Sequence, residues 1–135
     1  MVEFAIGATL LVTMFSGIFQ FGWSLMIYNN LMTSVTNAAM MASTMDYDQG
    51  ATSTFTTAVQ NMAVYGDIST GTVKVAPGIQ TSQIDVDVTS VSGVPQYITV
   101  SVNGYSISTI FRNFTLTNKP RVTVPFMGKV TCSSC

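Results

Sequence analysis

Two cysteines close the sequence as Cys132-Ser-Ser-Cys135, and a single glutamate, Glu3, stands near its start. A C-x-x-C pair can do redox chemistry at a helix start, where the dipole lowers a thiol pKa. It can supply half of a zinc site when two more Cys or His complete the shell, or hold a c-type haem when His follows. The chain has no third Cys and no His, so zinc and haem lack their ligands. Nothing predicts a helix beginning at Cys132. What remains is a disulfide in an oxidising space outside the cytoplasm. It is either a loop within the chain or a bond to another subunit, with thiol redox chemistry as a third reading.

The absence of His also removes the usual general base and the commonest metal ligand. No other catalytic constellation replaces it, so no catalytic residue, metal or cofactor is expected. Asn113-Phe-Thr115 fits the bare N-glycosylation pattern. Charged residues make up 8% of the chain, against about 25% in ordinary globular proteins. After Glu3, five acids (Asp46, Asp48, Asp67, Asp85, Asp87) balance five bases (Lys74, Arg112, Lys119, Arg121, Lys129). That balance leaves no electrostatic footprint for nucleic acid or anionic lipid. A surface so poor in charge and so rich in Ser, Thr and Asn suits one that faces neighbouring copies.

The element that must position Glu3 is long. Phe4 to Met45 contains no Asp, Glu, Lys or Arg and no Pro, so one helix is predicted, roughly 60 Å long at ~1.5 Å per residue. That is about twice a ~30 Å hydrocarbon core. Phe4 to Leu31 is apolar enough to cross a bilayer. Phe15, Phe19 and Trp23 fall four apart and stack along one face, with Gly7, Gly17 and Gly22 as places where other helices could approach closely. Further on, Leu31, Val35, Ala38 and Ala42 recur at helical spacing, and this face is predicted to dock on the domain that follows.

Asp46 to Gly50 breaks the helix. Phe55, Ala58, Val59, Met62 and Ala63 predict a second, short helix ending near Gly66. From Thr72 the period becomes two. Ile84, Val86 and Val88 alternate with Asp85, Asp87 and Thr89 as a half-buried strand with acids on its wet face. Ser92-Gly93 supplies a turn, and Ile98, Val100 and Val102 form the return strand against Tyr97, Thr99 and Ser101. Asn103-Gly104 predicts a bend or a tight hairpin into Tyr105 to Ile110. Val122, Val124 and Phe126 alternate in a last strand, which Pro125 demotes to an edge or a bulge.

Val2-Glu3-Phe4-Ala5, followed by Gly17-Ile18-Phe19-Gln20-Phe21-Gly22, resembles the start of TadE-like pseudopilins of the tight-adherence (Tad) secretion and pilus system. Asn61 to Gly66 and Leu116 to Val124 also look like that family. The resemblance implies a precursor with a short basic leader, cut by a prepilin peptidase, whose apolar helix enters a filament or pilus base. The wider pilin class carries its Glu fifth from the cleaved end. Here it is third, so either two residues precede this numbering or the cleavage differs. Where the family usually has Pro, an acid, a base and Arg, this chain has Thr9, Gln20, Trp23 and Met40. That pattern suits a helix buried among copies of itself. In such a setting the Glu3 carboxylate needs a partner, and the terminal amine of Met1 on a neighbouring copy is the nearest cation. The plainer alternative is a Glu at the membrane edge, acting on the helix dipole.

The expected architecture is therefore α+β. Residues 1–45 form an apolar N-terminal helix, a membrane anchor before assembly and a filament core after it. Residues 46–135 form a small domain with a short helix and an antiparallel sheet. The expected function is a structural subunit that polymerises through its N-terminal helix into an extracellular filament. It would be inserted in the inner membrane before assembly, with Glu3, Met1, Phe15, Phe19, Trp23, Gly17 and Gly22 as assembly residues. Its expected partners are other copies, the membrane, the Tad-type assembly machinery and a prepilin peptidase, and no nucleic acid. The alternatives are a minor pseudopilin that primes or caps a Tad-type pilus, and a membrane-anchored thiol oxidoreductase using Cys132 and Cys135.

Overall fold

The computed structural model describes residues 2–109 and 112–132. Helix α1 runs unbroken over Val2–Thr44, 43 residues, or about 64 Å. No Pro interrupts it, and Glu3 in its first turn complements the dipole. Two of its last four carbonyls, which no N–H within the helix can reach, accept from residues beyond it, Met41 O from the Met45 N–H at 3.1 Å. The Ser43 and Thr44 hydroxyls bond back to Met40 and Met41 O at 2.7 and 3.1 Å. The Met127 N–H donates to Ser43 O at 2.8 Å. Strand β1 (Tyr47–Asp48) and helix α2 (Thr52–Tyr65) follow. Gly66 ends α2 in the left-handed region (φ 73°), its N–H donating to Met62 O at 3.0 Å, a conformation that a Cβ would strain.

Three small sheets make up the rest. Strands β2 (Ile84–Val91), β3 (Val94–Val102) and β6 (Arg121–Pro125) form an antiparallel sheet in the order β2-β3-β6. The Ser92-Gly93 turn joins β2 to β3 with both residues at positive φ, 53° and 80°, the geometry that two-residue hairpins favour. Strands β4 (Tyr105–Ser108) and β5 (Asn113–Leu116) make a second antiparallel pair, and β1 pairs in parallel with β7 (Val130–Thr131). Asn103-Gly104 is thus a bend that takes the chain out of the main sheet. The strand after it ends at Ser108, and Ile110 lies outside the described residues.

The core lies between α1, α2 and the main sheet. Leu31, Val35, Ala38 and Ala42 of α1 are all fully buried, as their spacing predicts. They meet Phe55, Val59 and Ala63 of α2 and Ile84, Ile98, Val100 and Val102 of the sheet. The Ser34 hydroxyl donates to Ala63 O, and Gln60 Nε2 donates to Ile84 O at 2.9 Å, tying α1 to α2 and α2 to β2. Strand β6 lies at the sheet edge with Pro125 at its end, where a missing N–H costs no ladder bond. Thr99 and Ser101, which alternate with Ile98, Val100 and Val102, are buried as well. β3 is the central strand, and these short side chains sit between those of both neighbours, with the Thr99 and Thr123 hydroxyls bonded at 2.9 Å.

Candidate functional site: the uncovered half of α1

The two halves of α1 have different surroundings. Every residue of α1 assigned to the core lies at or beyond Ile27. Before it, fourteen large apolar side chains are exposed, from Leu25 at 46% to Phe4 at 83%. They occupy all sides of the helix, since Leu10, Leu11 and Val12 are consecutive and all exposed. An α-helix that is apolar all round belongs in a membrane or in the interior of an assembly. Fully burying one such side chain is worth about 1.5–3 kcal/mol. The set therefore represents a driving force on the order of 20 kcal/mol for whatever covers it.

Three hydroxyls here are internally satisfied. The hydroxyls of Thr9, Thr13 and Ser24 donate to the carbonyls four residues back, Ala5, Thr9 and Gln20, at 2.8, 2.8 and 2.9 Å. Such back-bonding hides a hydroxyl from hydrocarbon. By length and composition, α1 is a candidate membrane span, and its most apolar 18-residue stretch has none of its residues buried.

The sequence-predicted residues fall on this half. Phe15, Phe19 and Trp23 are exposed. Phe19 and Trp23 form an apolar hollow of about 370 Å³ with Ser108 and Thr109, which follow 85 residues later and carried no signal of this proximity. Phe15 is not part of that hollow. A Cβ added at Gly7, Gly17 or Gly22 would meet nothing within 4 Å, so these positions leave room for another backbone. Glu3 sits in the first turn; Met1 lies outside the described residues.

The second set lies elsewhere. Cys132 follows the strand β7, at the end of the domain away from the uncovered half of α1, and no free cysteine occurs among the described residues. Cys135 lies outside the described residues. Asn113 is exposed as the first residue of β5. Among the described residues, no cluster of three or more metal-ligating side chains occurs.

Sequence reasoning missed a group of cations. Lys119 and Arg121 share a hollow with Tyr28 and Met32 of α1. Lys74 shares another with Trp23, Met26 and Asn30, its Nζ donating to Ile79 O at 2.7 Å. No local pattern marks them, because they come together only through the fold.

Residues 1–43 match the family model described as TadE-like protein. The match covers α1 and stops at its end, so the resemblance to TadE-like pseudopilins of the Tad system rests on this helix. No curated protein and no solved structure matches the chain.

Proposed function

We propose that this TadE-like chain, a Tad pilus-associated subunit by its N-terminal helix, is a structural protein that polymerises into an extracellular filament. One observation carries the reading. The first half of α1 is apolar on every side and uncovered, while its second half is locked into the domain. Lipid covers the exposed half before assembly. The same half of neighbouring copies covers it afterwards, with the domains outside as a sheath. Phe15, Phe19 and Trp23 are the ridge, and Gly17 and Gly22 are the points of close helix approach.

Glu3 is the register mark. In lipid, a carboxylate at the end of the helix reaches water at the interface. Among packed helices it does not, and no Lys or Arg occurs between Phe4 and Met45. The N-terminal amine of a neighbouring copy, offset along the axis, is the cation within reach. Desolvation offsets much of the attraction in such a pair, so it sets position more than stability. The Tad assembly machinery and a prepilin peptidase are the partners of this route. Cys132 and Cys135 close a loop within the chain, and Asn113 is an exposed point where a glycan would attach.

Shearing cells and identifying the protein in the supernatant tests the proposal. Abundant filaments made of this one chain are expected. A protein that stays in the membrane fraction, or reaches the supernatant only as a trace within filaments of another subunit, overturns the shaft role. The trace result leaves a minor subunit. Glu3→Gln is expected to leave expression and membrane insertion intact and to cut filament yield sharply. Normal yield from that variant sinks the pairing.

A further inference from the structure

We infer that the end of the domain from which α1 emerges is a basic collar for anionic lipid headgroups, built by Lys74, Arg112, Lys119 and Arg121. The inference rests on the reading that α1 sits in a bilayer before assembly. From Glu3 to Trp23 is a rise of about 30 Å along the helix, the thickness of a hydrocarbon core. Trp23 is the chain's only Trp, and it falls at the level where membrane helices concentrate Trp and Tyr. Tyr28 follows about 7.5 Å further on, within or just above the headgroup layer.

Four of the five Lys and Arg residues of the chain lie around this level. Lys74 flanks Trp23 and Met26. Lys119 and Arg121 flank Tyr28 and Met32. The backbone of Arg112 is tied to Thr109. The Thr109 hydroxyl accepts from its N–H at 3.1 Å and donates to its carbonyl, and Thr109 itself lines the Phe19–Trp23 hollow. All four cations are exposed, and no acid lines any of the three hollows. The fifth, Lys129, belongs to the opposite end, where its carbonyl accepts from Tyr47 N.

Three of the five acids that follow Glu3 are placed away from these cations. Asp46 and Asp48 flank Tyr47 at that opposite end. Asp67 is nearer the cations, since it follows Gly66, which shares a hollow with Asn30 and Val75, and it accepts from both the N–H and the hydroxyl of its neighbour Ser69 at 3.0 Å. Asp87 lies further along β2, opposite Thr99. Asp85 is the acid nearest in register. It lies across β3 from Arg121, in the row Asp85–Ser101–Arg121, roughly 9–10 Å away at ordinary strand spacing, and accepts from Asn103 Nδ2 at 3.2 Å. The near-neutral total thus hides an uneven placement, positive where the domain meets the membrane. Guanidinium and ammonium groups at that level match phosphate oxygens. Near an anionic surface each basic residue is worth about fivefold in apparent affinity.

The test uses the full chain in neutral detergent micelles, titrated with phosphatidylglycerol and followed by NMR shifts of Lys74, Arg112, Lys119 and Arg121. Saturable shifts are expected with the lipid, diminished in ~1 M salt. Lys74→Gln/Lys119→Gln/Arg121→Gln is expected to raise the half-saturating lipid fraction at least tenfold. Equal shifts with inorganic phosphate would make this a free-anion site and overturn the lipid assignment. Unchanged binding by the triple variant would overturn the collar. Quenching of Trp23 by brominated lipid in vesicles reports insertion separately. Quenching without any lipid-dependent shift removes the collar alone, whereas absence of quenching removes the membrane reading beneath it.

Discussion

Leu31→Ala distinguishes a domain that merely carries a helix from one built around half of it. Leu31 is fully buried, and α1 is pinned there on two sides, by α2 through the Ser34–Ala63 bond and by β3 and β6. A site held this way cannot collapse into the space left by three lost carbons. The cost therefore belongs in the middle of the range for buried Leu→Ala changes, about 3–4 kcal/mol. Against a total stability of about 5–15 kcal/mol that is a large fraction. It corresponds to a rise of roughly a hundredfold to a thousandfold in the population of opened domain, at about 1.4 kcal/mol per factor of ten. Hydrogen exchange of the Ile98–Val102 amides, measured on the full chain in neutral micelles, reads that population directly. Leu25→Ala, two turns earlier and 46% exposed, is the control and is expected to move those amides by no more than ~0.5 kcal/mol. Wild-type exchange in Leu31→Ala, or an equal effect from Leu25→Ala, would refute the assignment of this half of α1 to the core.

Gly128 is a second sharp test, because a Cβ there would lie 2.1 Å from Met45 O and 2.9 Å from Phe126 Cζ. Gly128→Ala should lower the melting temperature by several degrees, a loss of about 2 kcal/mol or more, while Gly22→Ala leaves domain melting unchanged. Burial raises the Tyr105 pKa. The folded state therefore holds that proton more tightly than the unfolded one, and this contribution is complete below about pH 10 and lost as pH climbs through the folded value. Tyr105→Phe should remove that alkaline slope and cost about 1 kcal/mol at neutral pH, through the 2.8 Å bond to Pro77 O; an unchanged slope in denaturation against pH would assign it to another group. Non-reducing electrophoresis of dissociated protein should show a monomer, whereas a reductant-sensitive ladder would mean that the cysteines join subunits.

Periodicity made the helical and main-sheet parts of the fold readable. Leu31, Val35, Ala38 and Ala42 recur at a spacing that only one helical face satisfies, and that face is the buried one. Ile84, Val86 and Val88 alternate with two acids, which fixes the inward face of β2 before any partner is known. The small strands offered no such handle. β1 and β7 are two residues each and pair across some eighty positions, and two residues cannot show a period. The loop residues Ala76 and Ile79 are buried in the common core, and no local pattern marks them. The ring cluster of Tyr47, Phe55 and Phe126, with edge-on contacts at 5.2 and 6.3 Å, joins three distant segments and was equally silent. At the candidate site, the apolar first half of α1 was plain in composition, because no charge interrupts it after Glu3. The cations around its exit were not, since a balanced count says nothing about where charges end up.

The junction just above α1 has a mechanical consequence. A pull on the helix along its axis reaches the rest of the domain through the packed face of α1 and, at its end, through Ser43 to Gln49. That segment is gripped by one continuous stretch of chain: Met127 holds Ser43 O, Lys129 O holds the Tyr47 N–H and Thr131 O holds the Gln49 N–H, at 2.8, 2.8 and 3.1 Å. Because β1 and β7 run in the same direction, tension drags one strand lengthwise past the other. The bonds across them are then strained together instead of peeling one at a time. The last part of the chain acts as a buckle on the shaft, and its yield point is set by a shear load shared among several bonds.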